Sequence, residues 1–312
     1  MKKLLVIGSM NMDFVTDLPH QLTVGETILA KNLRLVPGGK GANQAYAMGK
    51  LGGKVAMLGA VGADLHGERL CESLDSVGVD VSRIRRAEDS PTGMAVITVL
   101  PNGDNSILVL QGANAQVTPE YVQEHYHLLE ECDILVLQLE IPLETVIYAA
   151  KEAYRLGKRV ILDPAPAVAG LPEELLRCLY LIKPNETELS ILMGRPYHPD
   201  SLREDALSLQ KKGVKNVLVT LGSAGSYLLM EDGTEARLEA DPTVQVVDTT
   251  AAGDCYVAAL AVAFSQGQDL VTAAQFASRV SDIVVTRPGA QTSIPSREEV
   301  EQAGSVPQKI AL

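Results

Sequence analysis

The segment formed by residues 248–254 (DTTAAGD) has a carboxylate, Asp254, directly after small residues and directly before an apolar helical pattern. Small residues allow backbone N–H groups to approach an anion closely, and a helix N-terminus offers unpaired N–H groups and the positive end of its dipole. An Asp there can accept a proton from an alcohol while the N–H groups hold the phosphoryl group that the alcohol attacks. An N-capping Asp before a buried helix has the same pattern, so this segment alone leaves both interpretations open.

Two segments near the N-terminus could bind a hydroxylated ligand. Residues 38–43 (GGKGAN) bring Lys40 and Asn43 to the start of a helix, beside glycines that allow close backbone approach. Their spacing is not that of a P-loop, and a flexible turn with a helix cap is the alternative. Asn11 and Asp13 follow the first strand and share one side of an extended segment, so they suit adjacent sugar hydroxyls, although an Asx turn is equally compatible.

Two segments in the second half of the chain could hold a nucleotide and a metal ion. Asn185 is a natural N-cap with Glu188 at the third helical position, which is the pattern of a capping box. The same Glu188 carboxylate could lie near a hydrated Mg²⁺ that carries phosphates. Residues 220–225 (TLGSAG) end another apolar run, and their glycines could pass beneath a nucleotide.

The composition is that of an acidic protein of ordinary globular character. The chain has 312 residues, of which 46% are hydrophobic and 21% charged, and its formal net charge is -12. Such a charge argues against a nucleic-acid-binding surface and against attachment to an anionic membrane. Positive potential for a phosphate ligand must therefore come from backbone dipoles, a few Lys or Arg side chains and bound cations.

The cysteines and the apolar runs indicate a cytoplasmic protein. Wide spacing matches neither a zinc site nor a CxxC redox motif, and the cysteines are Cys71, Cys132, Cys178 and Cys255. Free thiols are typical of a reducing cytoplasm. The N-terminal apolar run is too short for a signal peptide and has no cleavage site, and residues 255–264, the longest run, are too short to span a bilayer.

Short apolar runs alternate with helical patterns along most of the chain. The runs are residues 4–8, 55–61, 134–139, 160–163, 179–185 and 217–222. The helical patterns are residues 42–51, 143–156, 201–212, 253–266 and 270–286, most of them followed by a stopping Gly. Continuous apolar strands between helices predict an α/β fold, a parallel sheet covered on both faces in an αβα sandwich, with ligands at the carboxyl ends of the strands.

Two β-rich segments interrupt this rhythm and predict a small second sheet. They are residues 13–37 and 92–111, and Asn102-Gly103 in the second is a strong hairpin signal. The second segment is too apolar for a free-standing sheet, so it must cover a ligand cleft, a partner subunit or both. We interpret the two segments as insertions that form a lid on a single domain of residues 1–312.

Taken in order, these motifs resemble those of the ribokinase family of sugar kinases. Both family signatures are visible, in residues 38–45 (GGKGANQA) and in residues 248–254. Residues 8–13, 184–188 and 287–291 also fit the family in spacing. The resemblance implies an ATP-dependent kinase that phosphorylates the primary hydroxyl of D-ribose to give D-ribose 5-phosphate, under a lid that closes and excludes water.

The resemblance implies a role for each matching position. The implied sugar contacts are Asn11, Asp13, Gly39, Lys40, Asn43, Glu140 and Asp254. The implied nucleotide contacts are Asn185, Thr220, Leu221, Gly222, Ser223, Ala224, Gly225, Gly253 and, on the adenine side, Ser278. Asp254 is the implied catalytic base, and the anion hole beside it is formed by Ala251, Ala252 and Gly253.

The resemblance also implies two kinds of cation and a homodimer. Glu188 matches the residue that organises Mg²⁺ through water. A monovalent cation, usually K⁺, is implied at Asp248, Thr250, Val284, Arg287, Gly289 and Ser293, several of them through backbone carbonyls. The apolar hairpin predicts dimerisation through the lids.

The chain departs from the family just after Asp254. Residues 255–258 (CYVA) replace the usual Thr-Phe-Asn-Gly, so Val257 lacks a polar group and Ala258 adds a methyl group. These changes bear on the sugar preference. Two alternatives to a ribose kinase remain open. One is the same chemistry on 2-deoxyribose, another sugar or a nucleoside. The other is a catalytically silent sugar or nucleotide sensor, against which the retained Asp254, Lys40 and Glu188 argue.

Overall fold

The computed structural model describes residues 2–303 and the backbone of residues 310–311. Fourteen strands are described in that part of the chain: β1 (Lys3–Ile7), β2 (Asn11–Asp17), β3 (Arg34–Gly38), β4 (Lys54–Gly62), β5 (Ile84–Ala87), β6 (Gly93–Val99), β7 (Asn105–Leu110), β8 (Ile134–Leu137), β9 (Arg159–Leu162), β10 (Leu181–Ile182), β11 (Asn216–Thr220), β12 (Ser226–Leu229), β13 (Glu235–Leu238) and β14 (Ile310–Ala311).

Ten of these strands form the main sheet, in the order β14-β13-β12-β11-β10-β9-β8-β1-β4-β5. The seven strands from β11 to β5 pair in parallel, and Leu5 of β1 lies opposite Ala56 on one side and Leu135 on the other. The last three strands are antiparallel. The sequence predicts six of the seven parallel strands; it misses β5, which is only partly buried and contains two arginines, and it also misses β12 and β13.

Helices cover both faces of the main sheet, which confirms the predicted α/β sandwich. In the described residues they are α1 (Lys40–Lys50), α2 (Leu65–Asp75), α3 (Pro119–Glu124), α4 (Tyr126–Glu131), α5 (Leu143–Arg155), α6 (Glu173–Leu176), α7 (Glu186–Met193), α8 (Leu202–Lys211), α9 (Ala252–Ser265), α10 (Leu270–Val284) and α11 (Arg297–Gln302). Alternate residues of β1 face the two apolar cores: Leu4 belongs to one, and Leu5 to the other.

Burial explains the contrast between helices α5 and α9. In α5 the apolar side chains recur at helical spacing, so Val146, Ala149 and Ala153 pack on the sheet while the opposite face meets water. In α9 every residue from Asp254 to Ser265 is buried. An apolar run without periodicity is expected for a helix surrounded by protein, and this helix carries the candidate base at its start.

A second sheet stands apart from the main one and has four strands in the order β3-β2-β6-β7. Strands β6 and β7 form the predicted hairpin, and Gly103 adopts a left-handed backbone (φ 89°) in its turn. All six residues of β7 are exposed, with Ile107 at 58% and Leu108 at 64%. The sheet therefore presents an open edge and an apolar surface. Within the described residues, no helix has the length and apolarity needed to cross a bilayer.

Candidate active site

A cavity of about 660 Å³ opens at the carboxyl ends of three neighbouring parallel strands. Asp163 directly follows β9, Lys183 directly follows β10, and Thr220 ends β11; all three residues line the cavity. Carboxyl ends of parallel strands meet at one edge of a sheet, which explains why polar residues distant in sequence converge there. The start of α9 closes the cavity on one side, with Asp254 among its lining residues.

Asp254 is the third residue of α9, and its side chain points towards α1. The residue is 6% exposed. Its Oδ2 accepts a hydrogen bond from Asn43 Nδ2 (3.0 Å), and its Oδ1 accepts one from Gln44 Nε2 (3.2 Å). Because two amides of one helix hold both carboxylate oxygens, the orientation of the carboxylate is fixed before any ligand binds. The N-cap of α9 is Ala251, so the capping interpretation of Asp254 is wrong.

The turn before Asp254 leaves backbone donors open. Ala251 adopts a left-handed conformation (φ 62°), which costs an L-residue roughly 1–2 kcal/mol. Ala252 N–H donates to Thr249 O (3.2 Å), whereas within the described residues no group accepts from the N–H of Gly253 or Asp254. These two N–H groups lie at the positive end of a 14-residue helix, where an anion is favoured. Of the implied anion-hole residues, Gly253 therefore has a backbone N–H that is available to an anion. The N–H of Ala252 is already used within the turn.

Lys183 adds a positive charge beside this turn. A Cβ built on Gly253 would lie 3.1 Å from Lys183 Nζ, so the ammonium group approaches the helix start closely. Lys183 Nζ also pairs with Asp163 Oδ1 (3.1 Å), and both side chains are buried. Gln44 Nε2 donates to Asp163 Oδ2 (2.9 Å) as well as to Asp254. One buried network thus links the candidate base to the candidate phosphate region.

Charges around Asp254 set its proton affinity. Burial raises the pKa of Asp254 to about 6, against the opposing effect of the Lys40 ammonium and with the help of the Asp163 carboxylate. Burial lowers the pKa of Lys40, but the carboxylates of Asp254, Asp163, Glu140 and Glu188 raise it more, and the net pKa lies above its usual value. Lys40 therefore stays charged and favours the ionised form of Asp254.

The implied sugar residues meet at the start of α1. A Cβ on Gly39 would lie 2.7 Å from Asn11 N, so only glycine (φ 85°) lets this loop pass β2. The Glu140 carboxylate accepts from Lys40 N (3.0 Å) and clamps the start of α1. Burial and the carboxylates of Glu140 and Asp254 raise the pKa of Asp13 to about 7. Asn11 and Asp13 lie in strand β2, so the Asx-turn alternative is wrong.

Most of the implied nucleotide residues line the far side of the cavity. They are Asn185, Thr220, Gly222, Ser223, Gly225, Gly253 and Ser278. Two do not: Leu221 is buried in the apolar core, and the exposed Ala224 is absent from the lining. Consecutive residues of a tight turn point in different directions, so a contiguous motif overstates the number of contacts.

Glu188 serves as a helix cap and faces the cavity at the same time. Its Oε2 accepts from Asn185 N (2.8 Å), and its N–H donates to Asn185 Oδ1 (2.8 Å), which completes the predicted capping box. Burial raises the pKa of Glu188, and the Lys183 ammonium lowers it. The second carboxylate oxygen remains for a ligand, so the capping and metal interpretations are compatible.

The implied monovalent-cation residues lie on two adjoining segments, the loop before α9 and the stretch from the last residue of α10 to a short 3₁₀ helix that ends at Ser293. Asp248 Oδ1 accepts from Thr250 N (2.9 Å) and Oγ1 (2.6 Å), and Asp248 Oδ2 accepts from Gly289 N (2.8 Å). The Val284 carbonyl accepts from Arg287 N (3.1 Å). Ser293 is buried, and its hydroxyl donates to Ala290 O (2.7 Å). Because Asp248 is used to join the loops, any cation there would depend mainly on carbonyl oxygens.

Sequence reasoning missed several residues of the network around Asp254. They are Gln44, Gln138, Asp163, Lys183 and Gln291, and on the sugar side Asn114, which donates to Asn11 Oδ1, was also missed. Gln291 Nε2 donates to Asn43 Oδ1 (3.3 Å), and Gln138 Nε2 donates to Gln44 Oε1 (2.6 Å). A usable signal was present for Asp163 and Lys183, since each is a charged residue at the end of an otherwise apolar strand.

Of the four residues 255–258 that depart from the family pattern, one lines the cavity and three do not. Val257 and Ala258 are fully buried in the apolar core, and neither lines the cavity. The hydrogen bonds to Asp254 come from α1 and need no group at position 257. Tyr256, in contrast, lines the cavity and shares a hydrogen bond with Ser226 (3.0 Å).

Comparison with known proteins gives concordant matches over nearly the whole chain. The family model described as "pfkB family carbohydrate kinase" matches residues 1–297. A ribokinase of Haemophilus influenzae is 37% identical, over 96% of this chain and 97% of that protein. A deoxyribokinase of Salmonella typhimurium is also 37% identical, over 95% of this chain and 97% of that protein. The structure of Arabidopsis thaliana ribokinase complexed with ribose and ATP superposes with a TM-score of 0.90, at 37% identity, and the match covers 96% of this chain and 98% of that one.

Proposed function

The chain belongs to the pfkB family of carbohydrate kinases, which are phosphotransferases with an alcohol acceptor, and we propose that it transfers the γ-phosphoryl group of ATP to the primary hydroxyl of D-ribose. The product is D-ribose 5-phosphate. The observation that carries this proposal is the position of Asp254. Its carboxylate is held by Asn43 and Gln44 of α1, while within the described residues its own N–H and that of Gly253 have no acceptor and so remain for a phosphoryl group.

Two features of the site favour chemistry over a silent sensor. A carboxylate with a pKa of about 6 is ionised at neutral pH and basic enough to take a proton from an alcohol as the alcohol attacks. The open N–H groups and the Lys183 ammonium lie where negative charge would develop on the transferred group. A binding protein would have no need for a base opposite an anion hole.

The residues present fit a hydrated Mg²⁺ that arrives with the nucleotide. Glu188 offers a free carboxylate oxygen in the cavity, close to Asp163. Within the described residues no cluster of three or more His, Cys, Asp or Glu could cage a metal, and Mg²⁺ typically retains waters and phosphate oxygens as ligands. The chemistry that a bound Mg²⁺ would supply is neutralisation of the phosphate charge.

We also propose a K⁺ site on the loops joined by Asp248. Support comes from the donor set, since the Asp248 side chain holds the Thr250 and Gly289 loops together while backbone carbonyls remain for an ion. Its role would be to stabilise the turn that precedes Ala251, whose left-handed conformation is strained.

A substrate panel tests the proposed reaction. ADP release would be measured with ATP, Mg²⁺ and K⁺ and with ribose, 2-deoxyribose, fructose, adenosine or pseudouridine as acceptor. We expect the highest kcat/KM for D-ribose. The similarity to a deoxyribokinase makes 2-deoxyribose the second candidate. Turnover of nucleosides but not of free pentoses would reject the proposal, and sugar binding without any ADP release would favour the sensor.

The pH dependence of the reaction should report two carboxylates. Asp254 and Asp13 have pKa values of about 6 and about 7, and both must be ionised, one to accept a proton and the other to accept sugar hydroxyls. We expect kcat/KM to fall as pH decreases below about 7, and the slope of log kcat/KM against pH to approach about two below pH 6, because both groups must lose a proton. Circular dichroism at each pH would verify that the protein stays folded; a flat profile between pH 5 and 8 would contradict the assignment.

The second sheet is best explained as a lid that also forms a homodimer interface. We keep residues 13–37 and 92–111 as insertions into one kinase domain, because Asn11 and Asp13 of the sugar site belong to the same sheet. The exposed edge strand β7 (Asn105–Leu110) would cover its apolar face by pairing with a second copy. A cytoplasmic location also remains our proposal, in keeping with four free and buried cysteines.

Charge on the lid surface should dissociate the dimer. Replacing Ile107 and Leu108 with Glu introduces two like charges at each copy of the exposed strand, so we expect a shift from about twice the chain mass to a monomer in light scattering. The matched control is Leu65→Glu, another exposed leucine, which lies outside the lid. A wild-type monomer would refute the interface.

A further inference from the structure

One face of α10 forms a wall of the cavity and carries a carboxylate that the reaction does not use. Ser278, Ser281, Asp282 and Val285 line the cavity, at the spacing of one helical face and its continuation. Lys40, Lys183, Glu188 and Asp254 of the same lining have the roles proposed above on sugar, phosphate or metal. Asp282 lies four residues after Ser278, the residue implied on the base side of the nucleotide, so the two side chains point the same way.

The part of the cavity beside Asp282 has the character of a slot for a nucleobase. The segment of residues 240–246 contributes Asp241, whose charge acts on Asp282, and Val244 and Val246, which together with Val285 give this part of the lining apolar walls. Flat heteroaromatic rings suit such walls, whereas phosphates and ribose hydroxyls do not. Phosphates are provided for elsewhere, at the start of α9 and beside Lys183.

Asp282 is the polar group of this slot that remains available. Ser281 Oγ donates to Ala252 O (3.1 Å), and the Tyr256 hydroxyl is engaged with Ser226 and with Ala274 O (3.3 Å). Asp241 Oδ1 accepts from Thr243 N (2.8 Å) and Oγ1 (2.6 Å). In the part of the chain that the structure describes, no hydrogen bond or ion pair involves the half-buried Asp282 carboxylate.

A carboxylate in this position needs a ligand that donates hydrogen bonds. An ionised carboxylate is acceptor-only, and it repels the phosphates of any nucleotide, so a contact with the base must offset that repulsion. Guanine offers two adjacent donors, N1–H and the N2 amino group, that match the two oxygens. Adenine has one amino group on this edge, next to the acceptor N1, which would face a carboxylate oxygen unfavourably.

We propose that Asp282 selects the base of the phosphoryl donor and makes guanine nucleotides substrates at least as good as adenine nucleotides. The proposal deepens the proposed function, since it names a further class of donor for the same cavity. It concerns nucleotide binding, however, and can be measured without any sugar.

Calorimetric titration with ADP, GDP and IDP tests the proposal directly. We expect the wild-type protein to bind GDP at least as tightly as ADP, and roughly tenfold or more tightly than IDP, which lacks the N2 amino group; this is the usual effect of one hydrogen bond to a charged group. Asp282→Asn offers one donor and one acceptor, the pattern that adenine complements. This variant should therefore lower the ratio of GDP to ADP affinity by roughly tenfold or more.

A matched variant and a second readout separate the possible failures. Asp241→Asn changes a neighbouring carboxylate of the lining, which is already engaged by Thr243, and should alter the ratio less than Asp282→Asn does. Tighter binding of ADP than of GDP by the wild-type protein, or an unchanged ratio in Asp282→Asn, would overturn the proposal. If GDP is preferred but no sugar is phosphorylated with GTP or ATP, the proposed reaction fails while the base selection stands.

Discussion

Asp254→Asn is expected to lower kcat about 10³-fold, within the range for loss of a general base. The substitution keeps the size of the side chain but removes the group that takes the proton from the sugar hydroxyl. It also disturbs the contacts of the side chain, because an amide has one acceptor oxygen, whereas Asp254 accepts from both Asn43 and Gln44. We expect one of those two donors to lose its partner, while D-ribose binding stays within a few-fold of wild type.

The experiment needs kinetics and binding from the same preparation. kcat would come from ADP release under saturating ATP and ribose, and the ribose Kd from calorimetry. Asp269→Asn is the matched control: it alters an N-capping carboxylate of α10, which accepts from Thr272 N (2.9 Å), without touching the cavity. The control should keep wild-type kcat. A near-normal kcat in Asp254→Asn would remove Asp254 from its role as base.

The sequence predicts six of the seven parallel strands because each of those runs is determined by burial, whereas β5 (Ile84–Ala87) is only partly buried and was missed. A strand covered on both faces is continuously apolar, and its ends are marked by the polar residues that leave the core. The short antiparallel strands β12 (Ser226–Leu229) and β13 (Glu235–Leu238) have no comparable signal. These two strands pair as a hairpin near one end of the sheet. Tertiary contacts, rather than local propensity, determine that pairing.

The candidate site divides in the same way. Residues within the Gly-rich segments could be predicted, because anion and hydroxyl binding impose small residues and helix starts in a contiguous stretch. The bonds of Gln44 could not, since they join it to Asp163 and Asp254, each more than a hundred residues away, whereas Asp163 and Lys183 were marked by their places at strand ends. No local pattern distinguishes a Gln that bridges two buried carboxylates from one that merely lies on a helix.

Alternatives left open by the sequence were decided by single geometric facts. Ala251 occupies the N-cap of α9, which excludes a capping role for Asp254. At residues 185–188 the capping box is confirmed, yet it uses only one Glu188 oxygen and so leaves the metal interpretation standing. Whether a residue caps a helix and whether it binds a ligand are therefore separate questions. The position of the residue relative to the start of the helix answers only the first.

Lys40→Met should reduce kcat/KM by roughly 10²–10³-fold, as removal of one preorganised electrostatic donor does. The ammonium group lines the cavity among four carboxylates, and no ion pair within the described residues ties it to any of them. It is thus available to a phosphoryl oxygen. Met has a similar length and apolar volume, so the loss reports mainly the charge.

The same substitution should move the pH profile, which a purely structural defect would not do. The Lys40 ammonium lowers the pKa of Asp254, and without it the carboxylate keeps its proton to a pH above 6. The acidic limb of kcat/KM should therefore shift to higher pH, and raising the pH should restore part of the activity. Lys40→Arg keeps the charge and should leave the limb near its wild-type position, while Lys54→Met, which removes an exposed lysine, should change neither quantity. An unshifted acidic limb in Lys40→Met would mean that Lys40 binds phosphate without setting the proton affinity of the base.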